Sequence, residues 1–161
     1  MLPFTPYPST GAWLGVVANR DGFERLSNEK ETWWCVPTVT KPNDLLFMYC
    51  AKALSLANQG VFALFQITKI DDGYDSECAR YGSTSGFGRP VFANITLVNR
   101  RSTPLRPTTM RADPILARAK FMTRNFQGTI FQLQRIELAR IKTHFDLDET
   151  SSKKKLTRKI K

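Results

Sequence analysis

The chain has 161 residues with 42% hydrophobic content, enough for one domain with a packed core, since domains usually run from roughly 50 to 250 residues. That excludes a disordered chain. The longest uncharged apolar stretches, such as Val61 to Ile67, fall far short of the ~20 residues a membrane helix needs. Met1 to Thr10 are rich in proline and hydroxyl groups rather than basic and then apolar, so a soluble, cytoplasmic protein without membrane partners is expected.

Twenty-four Lys and Arg against fourteen Asp and Glu give +10, but the charge is uneven. Lys153, Lys154, Lys155, Arg158, Lys159 and Lys161 contribute six of it with no acid among them, which leaves residues 1–150 mildly basic at +4. Such a tail is either a nucleic-acid arm, gaining affinity from released counterions, or a solvated end. Cys35, Cys50 and Cys78 are odd in number and widely spaced, and His144 is the one histidine, so no zinc site, disulfide framework or cofactor is expected. A Ser-His or Cys-His mechanism would need His144, which reads as a surface residue late in a terminal helix.

In chain order, Trp13 to Ala18 is a continuous apolar run that reads as a strand buried on both faces. Asn19-Arg20-Asp21 is a polar turn, with Asp21 able to cap a short helix carrying Phe23 and Leu26. Thr32 to Val36 is a strand stopped by Pro37, and the turn at Lys41-Pro42-Asn43-Asp44 launches another, Leu45 to Cys50. Val61 to Ile70 reads as the longest strand, and Asp71 to Arg89 as a long Gly- and Ser-rich loop of the kind that usually carries function or is disordered. Pro90 to Val98 alternates as a strand closed off by Arg100 to Pro104. A helix from about Met110 to Ala119, a loop from Phe121 to Gly128, a short strand from Thr129 to Leu133 and an amphipathic helix from Ile136 to Phe145 complete the chain. The expected architecture is α/β of the α+β kind: a mixed sheet of five to six strands, curled into a small barrel and flanked by short helices. Residues 1–11 form an arm, 12–146 the domain, and 147–161 a basic, disordered tail.

The order of Trp13-Leu14-Gly15-Val16-Val17-Ala18-Asn19-Arg20-Asp21-Gly22-Phe23-Glu24, Trp34-Cys35-Val36-Pro37, Pro42 to Tyr49 and Gly60 to Phe65 resembles the EVE family of PUA-like domains. Pro104-Leu105, Asp113-Pro114 and Arg124 to Gln132 extend the likeness to about residue 145. EVE domains are related to YTH domains, and both groups are understood as readers of modified nucleobases held in an aromatic cage. The resemblance therefore implies a PUA-like barrel that flips a modified base into a cage, as a binding module and not an enzyme. Independent physics supports such a cage, because base–aromatic stacking is worth roughly 1–3 kcal/mol per base.

Residue by residue, Trp34 matches the family's cage tryptophan, and the backbone at Cys35 would face the base edge. Trp33 and Trp34 point to opposite faces of a strand, so one is core while the other lines a pocket. Asn19 stands where related readers place a polar side chain against the base, or else it caps the next helix. Tyr74, Tyr81 and Phe87 in the long loop are candidates for a second cage wall, although the tryptophan of YTH loops is missing there. Arg20, Lys120, Arg124, Asn125 and Arg89 are the candidate phosphate contacts, Arg124 and Asn125 by the family's late loop; Arg80, Arg100 and Arg101 would widen a basic rim or be ordinary surface charges.

The leading function is a reader of methylated or hydroxymethylated cytosine, or N-methylated adenine, in DNA, serving a modification-dependent restriction or defence system. No nuclease motif is present, so a separate nuclease or NTPase subunit is the implied partner. Modified RNA is the alternative nucleic acid. From a different class comes a small ASCH-like hydrolase built on Glu29, Lys30 and Glu31 or on Asp71, Asp72 and Asp75, clusters that solvated charge also explains. A third possibility is a peptide-binding groove, which would be indifferent to salt and to base modification.

Overall fold

The computed structural model describes residues 9–71, 78 and 89–146. Its strands are β1 (Ser9–Val17), β2 (Glu31–Pro37), β3 (Leu45–Cys50), β4 (Gly60–Asp71), β5 (Pro90–Leu105) and β6 (Ile130–Gln134). They form one six-stranded sheet in the order β2-β5-β4-β3-β1-β6. β1 and β3 run parallel, and every other neighbouring pair is antiparallel. The helices are α1 (Arg20–Asn28), α2 (Pro107–Arg111), α3 (Lys120–Thr123) and α4 over 135–146, with a 3-10 turn at Leu116–Arg118.

The alternation of side chains along each strand divides the apolar residues into two cores. On β3, Leu46, Met48 and Cys50 face one core, which also takes Trp13, Val36, Phe65, Ala93 and Ile95; Phe47 and Tyr49 face the other, under Met110, Phe121, Phe126 and Phe145. The first core is the inside of a curled sheet. In the sheet order β2 and β1 are separated by three strands, yet the indole Nε1 of Trp34 on β2 lies 3.4 Å from where a Cβ on Gly15 of β1 would stand. Only a sheet rolled toward a barrel brings those strands face to face.

Several expectations need correction. β5, with 16 residues, is longer than β4 with 12, and it continues through Arg100 to Pro104 instead of stopping there. Register shifts between β4 and β5 at Val61/Ala63, Leu64/Phe65 and Ile67/Lys69 absorb the extra residues. Asn19, not Asp21, caps α1, its Oδ1 accepting from Gly22 N at 2.7 Å. The helix expected over 110–119 breaks. α2 begins at Pro107, where a missing N–H costs nothing, and ends at Arg111 ahead of Pro114, which cannot sit in a helix interior.

The side chain of Asp113 fills the break. Its Oδ1 accepts from Ile115 N at 2.9 Å and Leu116 N at 3.4 Å, and its Oδ2 meets Arg140 Nε and His144 Nε2, each at 2.8 Å. Burial alone would raise this carboxyl's pKa, but the hydrogen bonds from His144, Arg140 and the two amides outweigh burial and hold it at about 2. His144 is thus a tie between α4 and the body, not the plain surface residue its position implied.

The cysteine expectation is also overturned: Cys35 on β2 and Cys78 form a disulfide with a Cα–Cα distance of 5.4 Å, while Cys50 is free and buried. Wide spacing in sequence did not prevent pairing because the bond joins a strand to the long connection between β4 and β5. Among the described residues, no helix is long and apolar enough to cross a membrane, and no group of three or more His, Cys, Asp or Glu is placed to hold a metal ion.

Candidate nucleic-acid interface

Parallel pairing of β1 and β3 brings their C-terminal ends to one end of the sheet, and four connections meet there. Ala51 N donates to Val17 O at 3.0 Å, fixing the segment after β3 beside the end of β1. Val16 N donates to Thr129 O at 2.9 Å, which brings in the loop ahead of β6. Asn19 and Arg20 follow directly from β1, and the pairing of Val61 with Leu105 places the start of α2 nearby. Open connections at the ends of strands are where mixed sheets commonly hold ligands.

Two of the base-binding candidates converge on Gly22. A Cβ there would stand 3.0 Å from Asn19 Oδ1 and 3.3 Å from Trp34 Cζ3, so Gly22 provides the close approach of α1 to both side chains. Trp34 is half-buried, packed against the inner core between Gly15 and Gly22. Asn19 is exposed, with Oδ1 committed to the helix cap. Trp33 points the other way. Its ring stacks on Phe92 with centroids 5.3 Å apart, and the Arg25 guanidinium lies 4.0 Å from its centroid. Cys35 is held by the disulfide. Tyr74, Tyr81 and Phe87 lie outside the described residues.

Among the phosphate candidates, Arg20 opens α1, Lys120 opens α3, and Arg124 follows it, all exposed; Arg89 is exposed just before β5. Arg100 and Arg101 serve the fold. The Arg100 guanidinium donates to the carbonyls of Leu26 at 2.7 Å and Glu29 at 2.8 Å, closing the end of α1, and burial lowers its pKa. Arg101 donates to Phe145 O and lies over that ring. Arg80 lies outside the described residues. Of the hydrolase clusters, Glu29, Lys30 and Glu31 are exposed at the α1–β2 turn and Asp71 ends β4, while Asp72 and Asp75 lie outside the described residues.

Asn125 belongs to a feature that sequence reasoning missed, a cleft of about 620 Å³ on the outer layer at this end of the sheet. Tyr49 and Phe126 line its base, their rings stacked 3.7 Å apart and tilted by only 4°. Lys52, Arg106 and Arg111 supply positive charge, and none of the lining residues is acidic. Arg106 has a structural duty, donating to the carbonyls of Leu56, Ala57 and Gln59 and so holding the segment after β3 as one wall. The opposite wall is strained: Asn125 and Phe126 have φ of 53° and 59°, a left-handed conformation that non-glycine residues seldom adopt. A Tyr at a strand end, a lone Lys in a small-residue stretch and two Arg flanking a Pro-initiated helix carry no spacing that announces a site, because three separate connections build it.

No family model matches the chain, and no curated protein sequence matches it. Solved structures do. A hypothetical protein from Leishmania major is 13% identical, with a TM-score of 0.60 over 85% of this chain and 96% of that chain. A protein from Pseudomonas syringae is 15% identical, with a TM-score of 0.57 over 81% of this chain and 96% of that one. A variant of the ASCH protein from Zymomonas mobilis is 13% identical, with a TM-score of 0.53 over 84% of this chain and 97% of that one. Likeness at such identities defines architecture. The chain shares the fold of these proteins, the Zymomonas ASCH protein among them: a six-stranded mixed sheet rolled toward a small PUA-like barrel with short helices.

Proposed function

We propose that this domain is a nucleic-acid-binding module of the EVE kind that reads one modified base flipped out of DNA and carries out no reaction itself. The observation that carries the reading is the convergence of Asn19 and Trp34, fifteen positions apart in sequence, on the bare backbone of Gly22. Gly22 itself is buried against both side chains, so a flipped base would approach the half-exposed side of Trp34, stack on the indole there, and take a hydrogen bond on its edge from the Asn19 amide nitrogen, left over after its oxygen caps α1. Exposed Arg20 and Arg124 stand in the connections that follow β1 and precede β6, where a strand's phosphates would pass. Methylated or hydroxymethylated cytosine and N-methylated adenine are the ligand class, with modified RNA as the other nucleic acid. A nuclease or NTPase in a separate subunit would act on what the module finds. Against the cytoplasmic placement expected from composition stands the Cys35–Cys78 disulfide, a bond that oxidising compartments favour.

Short DNA and RNA oligonucleotides with and without the modified base, titrated at two salt concentrations, test the reading. A preference of roughly tenfold or more for one modified base is expected, the discrimination a methyl group gives in a closed pocket. Asn19→Asp keeps an N-cap and removes the amide donor, so it abolishes that preference without unfolding α1. Equal, purely salt-dependent affinity for every oligonucleotide overturns the proposal.

A further inference from the structure

The outer cleft stands apart from Trp34 and Asn19, and its chemistry is that of an anion site. Three cations line it, and among the described lining residues there is no carboxylate. Arg106 is consumed by three backbone carbonyls, but neither Lys52 nor Arg111 is needed by the wall it stands on, and both are exposed. The second observation lies at the base. Tyr49, a lining residue, is 1% exposed, and its hydroxyl accepts from Gln59 Nε2 at 2.8 Å, which leaves the phenolic proton as a donor for another acceptor. Burial raises the Tyr49 pKa, so the phenol stays neutral and remains a donor. Tyr49 lines the same space as Lys52 and Arg111, and its remaining O–H donor suits an acceptor that is itself negative. A volume of about 620 Å³ is in the range of small-molecule sites and far more than a bare ion needs; exposed Leu56 offers apolar surface beside the cations.

We propose that this cleft binds the phosphate of a nucleotide, with Lys52, Arg111 and the Tyr49 hydroxyl on the phosphate oxygens and the Asn125 amide beside them. The nucleotide is either free in solution or part of a strand. The site rests on these residues alone and does not require base reading at Trp34.

Calorimetric titration of the full 161-residue chain with inorganic phosphate, a mononucleotide and an unmodified single-stranded oligonucleotide tests it, using Tyr49→Phe, Lys52→Ala and Arg111→Ala. Tyr49→Phe keeps the ring stack on Phe126, so its fold survives, and circular dichroism verifies each variant. Mononucleotide binding tighter than inorganic phosphate and weakened about tenfold by each substitution is the expected result. If only oligonucleotide binding weakens in the three variants, the phosphate belongs to a strand and the site still stands. Failure of all three probes to bind, or binding that none of the three substitutions changes, overturns it. The three substitutions leave Asn19 and Trp34 untouched, so a modified-base preference that survives them while mononucleotide binding does not respond sinks this site alone, and the reverse outcome sinks the base reading alone.

Discussion

Trp34 on the inner face and Tyr49 on the outer face are both aromatic residues packed against a core, but the fold uses them differently. The Trp34 ring packs between two glycines, and Asn19, whose Oδ1 caps α1, shares its contact with Gly22. The Tyr49 ring stacks on Phe126, and the residue lines a cleft whose exposed Lys52 and Arg111 have no role in holding its walls. A packed aromatic can therefore offer a site either its ring or its polar tip. What separates the cases is which donor remains, the Asn19 amide nitrogen beside the Trp34 ring or the hydroxyl of Tyr49 itself.

The comparison can be broken by substitutions, beginning with the largest effect. Cys35→Ser removes the tie between β2 and the β4–β5 connection. With a sequence separation of 43 the chain-entropy model gives a loss of about 4 kcal/mol, read by urea unfolding under non-reducing conditions. Trp34→Ala opens a void between Gly15 and Gly22 and is expected to cost about 3 kcal/mol, which is why binding loss in that variant alone would not separate scaffold from cage. Asp113→Ala strands Arg140 and two amide donors, with a smaller cost of about 2 kcal/mol, since Arg140 and His144 retain access to water.

The Asp113 carboxyl also has a pH signature. Its folded pKa of about 2 lies below the ordinary 3.8, so its stabilisation is whole above 3.8 and is lost as pH falls from there toward 2. Asp113→Asn should flatten that part of the stability profile in acid unfolding. The smallest stability effect is expected for Asn19→Asp, within about 0.5 kcal/mol, because the cap persists. Its loss of base preference with an intact melting curve would show that the inner face has a function beyond packing.

Strand positions were legible in the sequence because apolar runs and turn residues mark them locally; Leu45–Cys50 is bounded by Asp44 and falls where expected. β5 was cut short because Arg100, Arg101 and Pro104 look like loop, whereas Arg100 instead reaches across to the end of α1. The helix expected over 110–119 breaks at Asp113-Pro114 because the Asp113 carboxylate has its polar partners on α4, which no local pattern contains. Asn19 and Trp34 were singled out by resemblance, and their shared contact at Gly22 is a tertiary fact that no local pattern contains. The outer cleft was invisible for the same reason, since Tyr49, Lys52, Arg111 and Asn125 meet only when three connections fold onto one end of the sheet.

The most direct test of the central claim is competition between oligonucleotides identical except for one modified base, measured on the full chain and on Asn19→Asp at two salt concentrations. The account predicts a preference of roughly tenfold or more for the modified strand that survives added salt and disappears in Asn19→Asp. Identical affinities for both strands, falling together with salt and unchanged by Asn19→Asp, would contradict it and leave only a basic surface.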